Sequence, residues 1–175
     1  MNWFRVSVLL IAGMALASLA AAEEPLISVS QPAQPSLKSV RTIAVFLNGN
    51  DALVSRLAED ALTIALTNAG LTVVSRETLE KTVGEQLAKR RSGQAEASIN
   101  ALEIGRAVAA DAILTGTVAV SAGEQGSWAV KAASLQLIKT DTGQTALSAL
   151  FEPQGGATFS ELGRLFIGVL SQYRT

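Results

Sequence analysis

The stretch from Thr72 to Val118 constrains the fold more than any other part of the chain. It opens on the β-branched pair Val73-Val74 and passes through Ser75-Arg76-Glu77 into two helical segments. It leaves through Ala112-Ile113-Leu114-Thr115-Gly116-Thr117-Val118. Two β-rich runs separated by helices do not make a hairpin; the connection crosses a face of a sheet, which the helices cover. Ser75 is placed to cap the first helix, and Glu77 falls in its first turn, where the helix dipole favours an acid. Leu79, Val83 and Leu87 recur every fourth residue as a packing stripe, and Lys89-Arg90-Arg91 close the helix at its negative end. The second helix is expected from Ser98 to Ala109, with Leu102, Gly105 and Val108 or Ala109 inward and Gly105 permitting close backbone approach.

The flanking sequence extends this pattern. Thr42-Ile43-Ala44-Val45-Phe46-Leu47 is a continuous apolar run ending at Asn48-Gly49-Asn50, as a strand buried on both faces requires. Asp51 caps a helix reaching Asn68, whose stripe is read as Leu53, Leu57, Ala61 and Ile64 with Ala65. Gly70 ends it, and Leu71 to Val74 form the next strand. Farther on, strands are expected at Ala112 to Val120 and Trp128 to Ile138, with Gly123 and Gly126 between them. Alternate residues of the second split unevenly, which leaves one of its sides wet. Asp141-Thr142-Gly143 turns the chain into a last strand, Gln144 to Phe151. A final helix, Thr158 to Tyr173, carries Phe159, Leu162, Phe166 and Val169 on one face. The reading is an α/β fold, a single three-layer-type domain over residues 41–173 with a mixed sheet and the order β-α-β-α-α-β-β-β-α.

Residues 1–22 read as a signal peptide. Arg5 precedes the weakly polar to apolar run Val6 to Leu19, and Ala20-Ala21-Ala22 offers small residues for cleavage. The run is shorter than the roughly 18–20 apolar residues that span a bilayer, so export is expected rather than anchoring. No cysteine follows it, so no lipid anchor of the bacterial lipoprotein type can form there. Residues 23–40 hold Pro25, Pro32 and Pro35 and read as a Pro-containing flexible arm. Within it, Leu26-Ile27-Ser28-Val29 has the composition of an edge strand able to add to a neighbour's sheet.

Composition removes whole classes of chemistry. The chain has no cysteine and no histidine, which excludes thiol catalysis, disulfides, histidine triads and Cys/His zinc sites. Removing the leader with Arg5 leaves 13 basic against 15 acidic residues, a balance that makes no electrostatic case for nucleic acid. The loop Asn48-Gly49-Asn50-Asp51 precedes a helix but lacks a phosphate-binding glycine pattern, and an acid at the cap opposes an anion. Glu59 and Asp60 are adjacent on a helix, ~100° apart, and read as surface charge rather than a catalytic pair. Asp111 reads as a structural acid that satisfies local backbone donors. Lys89-Arg90-Arg91 reads as a solvated helix terminus, and Trp128 as a strand-start tryptophan that packs in the core or at an edge by default and is otherwise able to face a partner. No catalytic residue, cofactor or metal ligand emerges. The partner-binding candidates are Leu26, Ile27, Val29 and Trp128.

These segments resemble a family of bacterial envelope proteins that share the periplasmic domain of the curli secretion channel. The group also takes in activators of penicillin-binding proteins and flagellar accessory proteins. The resemblance rests on Arg41-Thr42-Ile43-Ala44-Val45, on Val73-Val74-Ser75-Arg76 with Leu79-Glu80 and Glu85-Gln86, and on Ile104-Gly105 leading into Ala110-Asp111-Ala112-Ile113-Leu114-Thr115-Gly116. Leu137-Ile138-Lys139-Thr140-Asp141-Thr142-Gly143 completes it. Two departures stand out. The lipidated cysteine common in the family is missing, and loops such as Ser121 to Ser127 are too short to add a membrane-barrel hairpin of ~9–11-residue strands. The resemblance implies a non-catalytic periplasmic adaptor or assembly factor in export or assembly of a surface structure, or alternatively an activator docking on a peptidoglycan synthase. Its partners would be envelope proteins and copies of itself, with no transmembrane segment after cleavage and, at most, peripheral association with the outer membrane.

Overall fold

A computed structural model of the 175-residue chain describes residues 26–30, 37–48, 51–91, 101–122 and 128–174; at 26, 30 and 87–91 it describes the backbone alone. The expected leader at residues 1–22, the three arm prolines, Gly49-Asn50, Gly93, the Gly123 to Gly126 loop and the side chains of Lys89-Arg90-Arg91 lie outside the described residues.

The elements follow the expected order with one strand added at the front. They are β1 (Leu26–Ser30), a 3-10 turn (Leu37–Ser39), β2 (Thr42–Leu47), α1 (Ala52–Asn68), β3 (Thr72–Val73) and α2 (Arg76–Arg91). There follow α3 (Ala101–Ala107), β4 (Ala112–Ala122), β5 (Trp128–Lys139), β6 (Thr145–Glu152) and α4 (Phe159–Tyr173). One six-stranded sheet has the order β1-β6-β5-β4-β2-β3. β2 is parallel to β3 and β4, and the β4-β5-β6-β1 part is antiparallel. The parallel part is the crossover unit read from Thr72 to Val118; the antiparallel part is built from hairpins.

Local sequence accounts for the helix ends. Asp51 caps α1, its carboxylate accepting from the Leu53 and Val54 N–H groups at 2.8 and 3.2 Å. Gly70 follows the helix with φ +79°, the left-handed conformation that ends a helix without a Cβ penalty. At α4, Thr158 and Glu161 form a reciprocal capping box, satisfying two otherwise orphaned donors.

The helices form a layer on each face of the sheet. On one face α1 and α4 cover Ile43, Val45, Leu47, Leu114, Leu135, Leu137, Leu147 and Phe151, closing over them with Leu62, Leu66, Leu162 and Phe166. On the other, α2 and α3 bring Leu79 and Ile104 onto Ala44 and Ile113. That second layer covers the parallel strands and, on β5, Ile138. Beyond it, among the described residues, nothing covers the β4-β5-β6-β1 face, and Thr117, Ser134, Gln136, Leu150 and Ser28 are exposed.

Three expectations are corrected. The buried stripe of α1 is Val54, Ala58, Leu62 and Leu66, while Leu53 and Ile64 are exposed. It lies one residue round from the expected stripe because apolar residues occur on both sides of the helix and contact with the sheet chooses between them. α3, described from Ala101, ends at Ala107 rather than Ala109, with Ile104 and Gly105 buried and Ala109 at φ +53° breaking the helix; its expected start at Ser98 lies outside the described residues. Residues 23–40 do not lie wholly outside the domain. β1 pairs with β6, Ile27 opposite Phe151 and Val29 opposite Ala149; Ile27 and Val29 pack on the main core, and Leu37 and Val40 are buried in it. The domain therefore begins ahead of residue 41.

The Ala110-Asp111-Ala112 element ties three strands together. The Asp111 carboxylate accepts from the Arg41 and Thr42 N–H groups, both at 2.8 Å, at the start of β2. The buried Thr140 hydroxyl donates to the Ala110 carbonyl, and the Arg106 guanidinium donates to the Thr140 carbonyl at 2.7 Å. The donors that Asp111 satisfies are distant in sequence, not local. Gly105 fits here because a Cβ on it would stand 2.7 Å from the Thr140 methyl. Thr140→Val keeps the shape and removes the donor, so the Ala110 carbonyl is left unpaired. The expected loss is about 1–3 kcal/mol, read as a lowered urea midpoint at unchanged slope.

Candidate functional site

Two surfaces carry exposed or charged groups that the core does not account for. One is the end of the sheet formed by β1, β6 and β5. β1 is the outermost strand, and among the described residues no strand lies beyond it. A strand in that position turns alternate N–H and C=O groups outward. The side chains of Ile27 and Val29 face inward onto the chain's own core and are half-buried. Of the partner-binding candidates in the arm, what remains outward is therefore main chain rather than these side chains; the side chain of Leu26 is outside the described residues. Trp128 opens β5 opposite Ala122 and is 39% exposed. It stands on β5, with β6 between it and the arm, so the four candidates do not lie side by side.

The uncovered face beside this edge carries no local sequence signal of its extent. Register places Ser28, Leu150, Ser134 and Thr117 in one row across four strands, and Ser148, Gln136 and Thr115 in the next. Leu150 is the large apolar group in these rows and is 39% exposed. Alternation along β5 signalled a wet side; which strands would share it depends on how far α2 and α3 reach.

The second surface is a cleft of about 270 Å³ at the opposite edge, between α1 and α2 beside β2 and β3. Val45, Phe46, Val73, Val74, Leu79 and Val83 are its apolar lining. Its charged rim is paired internally: Arg76 reaches Asp60 at 2.6 Å and Glu59 at 3.4 Å, and Arg56 reaches Glu80 at 3.7 Å. Glu59 also accepts from the Leu47 N–H at 2.9 Å. Glu59 and Asp60 diverge as adjacent helical residues must, yet Arg76 spans both, and Glu59 is half-buried rather than a surface charge. Sequence alone carried no sign of this, since Leu47 and Arg76 reach Glu59 only through the fold.

Burial is the largest influence on Glu59 and pushes its carboxyl above the ordinary carboxylate range, against the Leu47 N–H and Arg76, which pull it down. The folded state therefore holds the proton more tightly than the unfolded chain, and stability contributed through this group falls as pH rises through that window. Glu59→Gln removes the titration and keeps an acceptor for Leu47. Urea titrations of parent and variant at mildly acidic and neutral pH should show the variant gaining on the parent toward neutrality. A constant difference between the two would contradict the assignment.

Among the described residues no group of three Asp or Glu side chains is arranged to hold a metal ion, and no helix is long and apolar enough to cross a membrane.

No protein-family model matches the sequence, and no curated protein matches it. Solved structures do. The chain is similar to a subunit of a variant PelC dodecamer from Paraburkholderia phytofirmans at 18% identity, covering 85% of this chain and 99% of that one with a TM-score of 0.50. Lipoprotein GNA1162 from Neisseria meningitidis matches at 20% identity over 75% of this chain and 94% of that one, with a TM-score of 0.43. The LpoB C-terminal domain from Salmonella enterica matches at 25% identity over 63% and 79%, also with a TM-score of 0.43. The PelC likeness spans nearly the whole of that subunit, and at this identity it is a likeness of fold.

Proposed function

We propose that the protein is a non-catalytic adaptor or assembly factor of the bacterial envelope, acting in the periplasm in export or assembly of a cell-surface structure, with a globular domain of the curli-channel periplasmic type. The observation that carries this reading is the sheet left open at one end among the described residues: an outermost β1 and an uncovered β5-β6 face with Leu150 exposed. An open strand edge beside a flat, small-residue face is suited to binding protein main chain and offers no chemistry of its own. The leader at residues 1–22 supports the compartment, and the fold shared with a subunit of a dodecamer supports self-association.

The test is affinity capture from detergent-solubilised envelope with the mature protein as bait, followed by mass spectrometry. Export or surface-assembly components should be recovered. Recovery of a peptidoglycan synthase instead would favour the activator reading, and recovery of neither would overturn both. Light scattering of the mature protein after size exclusion tests self-association separately. A mass above one chain is expected, and a monomer at every concentration would reject it.

A further inference from the structure

The cleft between α1 and α2 has an unused strand edge at its base. β3 is two residues long and pairs only with Thr42 and Ile43, although β2 runs on to Leu47. The main chain alternates along β2: the Asn48 N–H donates toward β4, to the Gly116 carbonyl, while the Ile43 carbonyl accepts from Val74 on the β3 side. The Leu47 N–H therefore points to the β3 side, where no third residue of β3 meets it. A side chain takes that place instead, the Glu59 carboxylate at 2.9 Å. A carboxylate brought into half-buried surroundings to satisfy one strand donor stands in for the carbonyl of a missing strand.

We propose that this cleft is a strand-addition site for an extended peptide segment of a partner protein, apolar at alternate positions and bearing Lys or Arg beside them. Its main chain lies along β2 from Val45 to Leu47, and one of its carbonyls replaces Glu59 at the Leu47 N–H. Alternate side chains of an added strand point to opposite faces. One set meets Phe46, Val74 and Val83, which supply an apolar contact. Charge complementarity selects basic flanks. The lining carries Glu59, Asp60 and Glu80 against Arg56 and Arg76, and both arginines are already engaged by those acids. A carboxylate released from Leu47 finds a new partner in a peptide cation. This site stands at the opposite sheet edge from β1 and does not depend on the envelope assignment.

The test uses a random-peptide display library selected on the mature protein, with the enriched peptides then synthesised. Peptides with alternating apolar residues and Lys or Arg are expected, and on binding the Leu47 amide should be among the resonances that shift most. Thr63→Trp, which fills the cleft from α1, should weaken binding by about tenfold or more, as should N-methylation of the central peptide amides, since main-chain bonds supply strand-addition affinity. Ile64→Trp, exposed on the other side of α1, should leave binding unchanged. The N-methyl comparison needs no protein variant, so a folding defect in Thr63→Trp cannot mask the answer. Failure to enrich any peptide, or peptides indifferent to both N-methylation and Thr63→Trp, would overturn the proposal without bearing on the envelope reading.

Discussion

Gly116→Val is expected to leave no folded protein, and Gly116→Ala to lose more than about 4 kcal/mol, in the range that single changes reach only by breaking something specific. Gly116 sits in the middle of β4 between Leu47 of β2 and Leu135 of β5, at φ +153°. A Cβ built on it would lie 1.9 Å from the Ser134 carbonyl oxygen and 3.0 Å from the Leu135 Cα. These are backbone atoms of the neighbouring strand, so no side chain can swing aside. Relief requires β4 and β5 to separate where the parallel and antiparallel halves of the sheet meet. The check is urea unfolding of Gly116→Ala; a midpoint equal to the parent's would contradict this geometry.

Leu114→Ala is expected to cost about 2–5 kcal/mol through lost burial and the cavity left behind. Leu114 is fully buried, opposite Val45 on one side and Leu137 on the other, in the cluster closed by Leu62 and Phe166. Thr117→Ala, on the bare face of the same strand, should fall within about 0.5 kcal/mol of the parent. The pair tests the orientation of β4 as well as its burial. Equal losses at both positions would mean that the bare face is covered.

Element order was legible because each element carries local information. The apolar run of β2, the caps Asp51 and Ser75, and the Asp141-Thr142-Gly143 turn all act within a few residues. What was not legible depends on distant partners. β1 looks like an arm because proline surrounds it, and its place in the sheet comes from β6, far along the chain. Leu53 and Val54 are equally apolar, and only packing on the sheet buries the second. Glu59 reads as a surface acid until the fold brings Leu47 and Arg76 to it. Asp111 reads as structural from its place before a strand, while the donors it holds, the Arg41 and Thr42 N–H groups, lie at the start of β2. Among the site candidates, Trp128 is partly exposed, whereas Ile27 and Val29 serve the chain's own core.

The envelope assignment rests on export, and intact-mass spectrometry of the protein recovered from the periplasmic fraction of the producing cell tests it most directly. The predicted result is a chain beginning at or beside Glu23, with Ala20-Ala21-Ala22 removed or trimmed and no lipid mass added. An intact chain beginning at Met1, recovered with the membrane or cytoplasm, would contradict it.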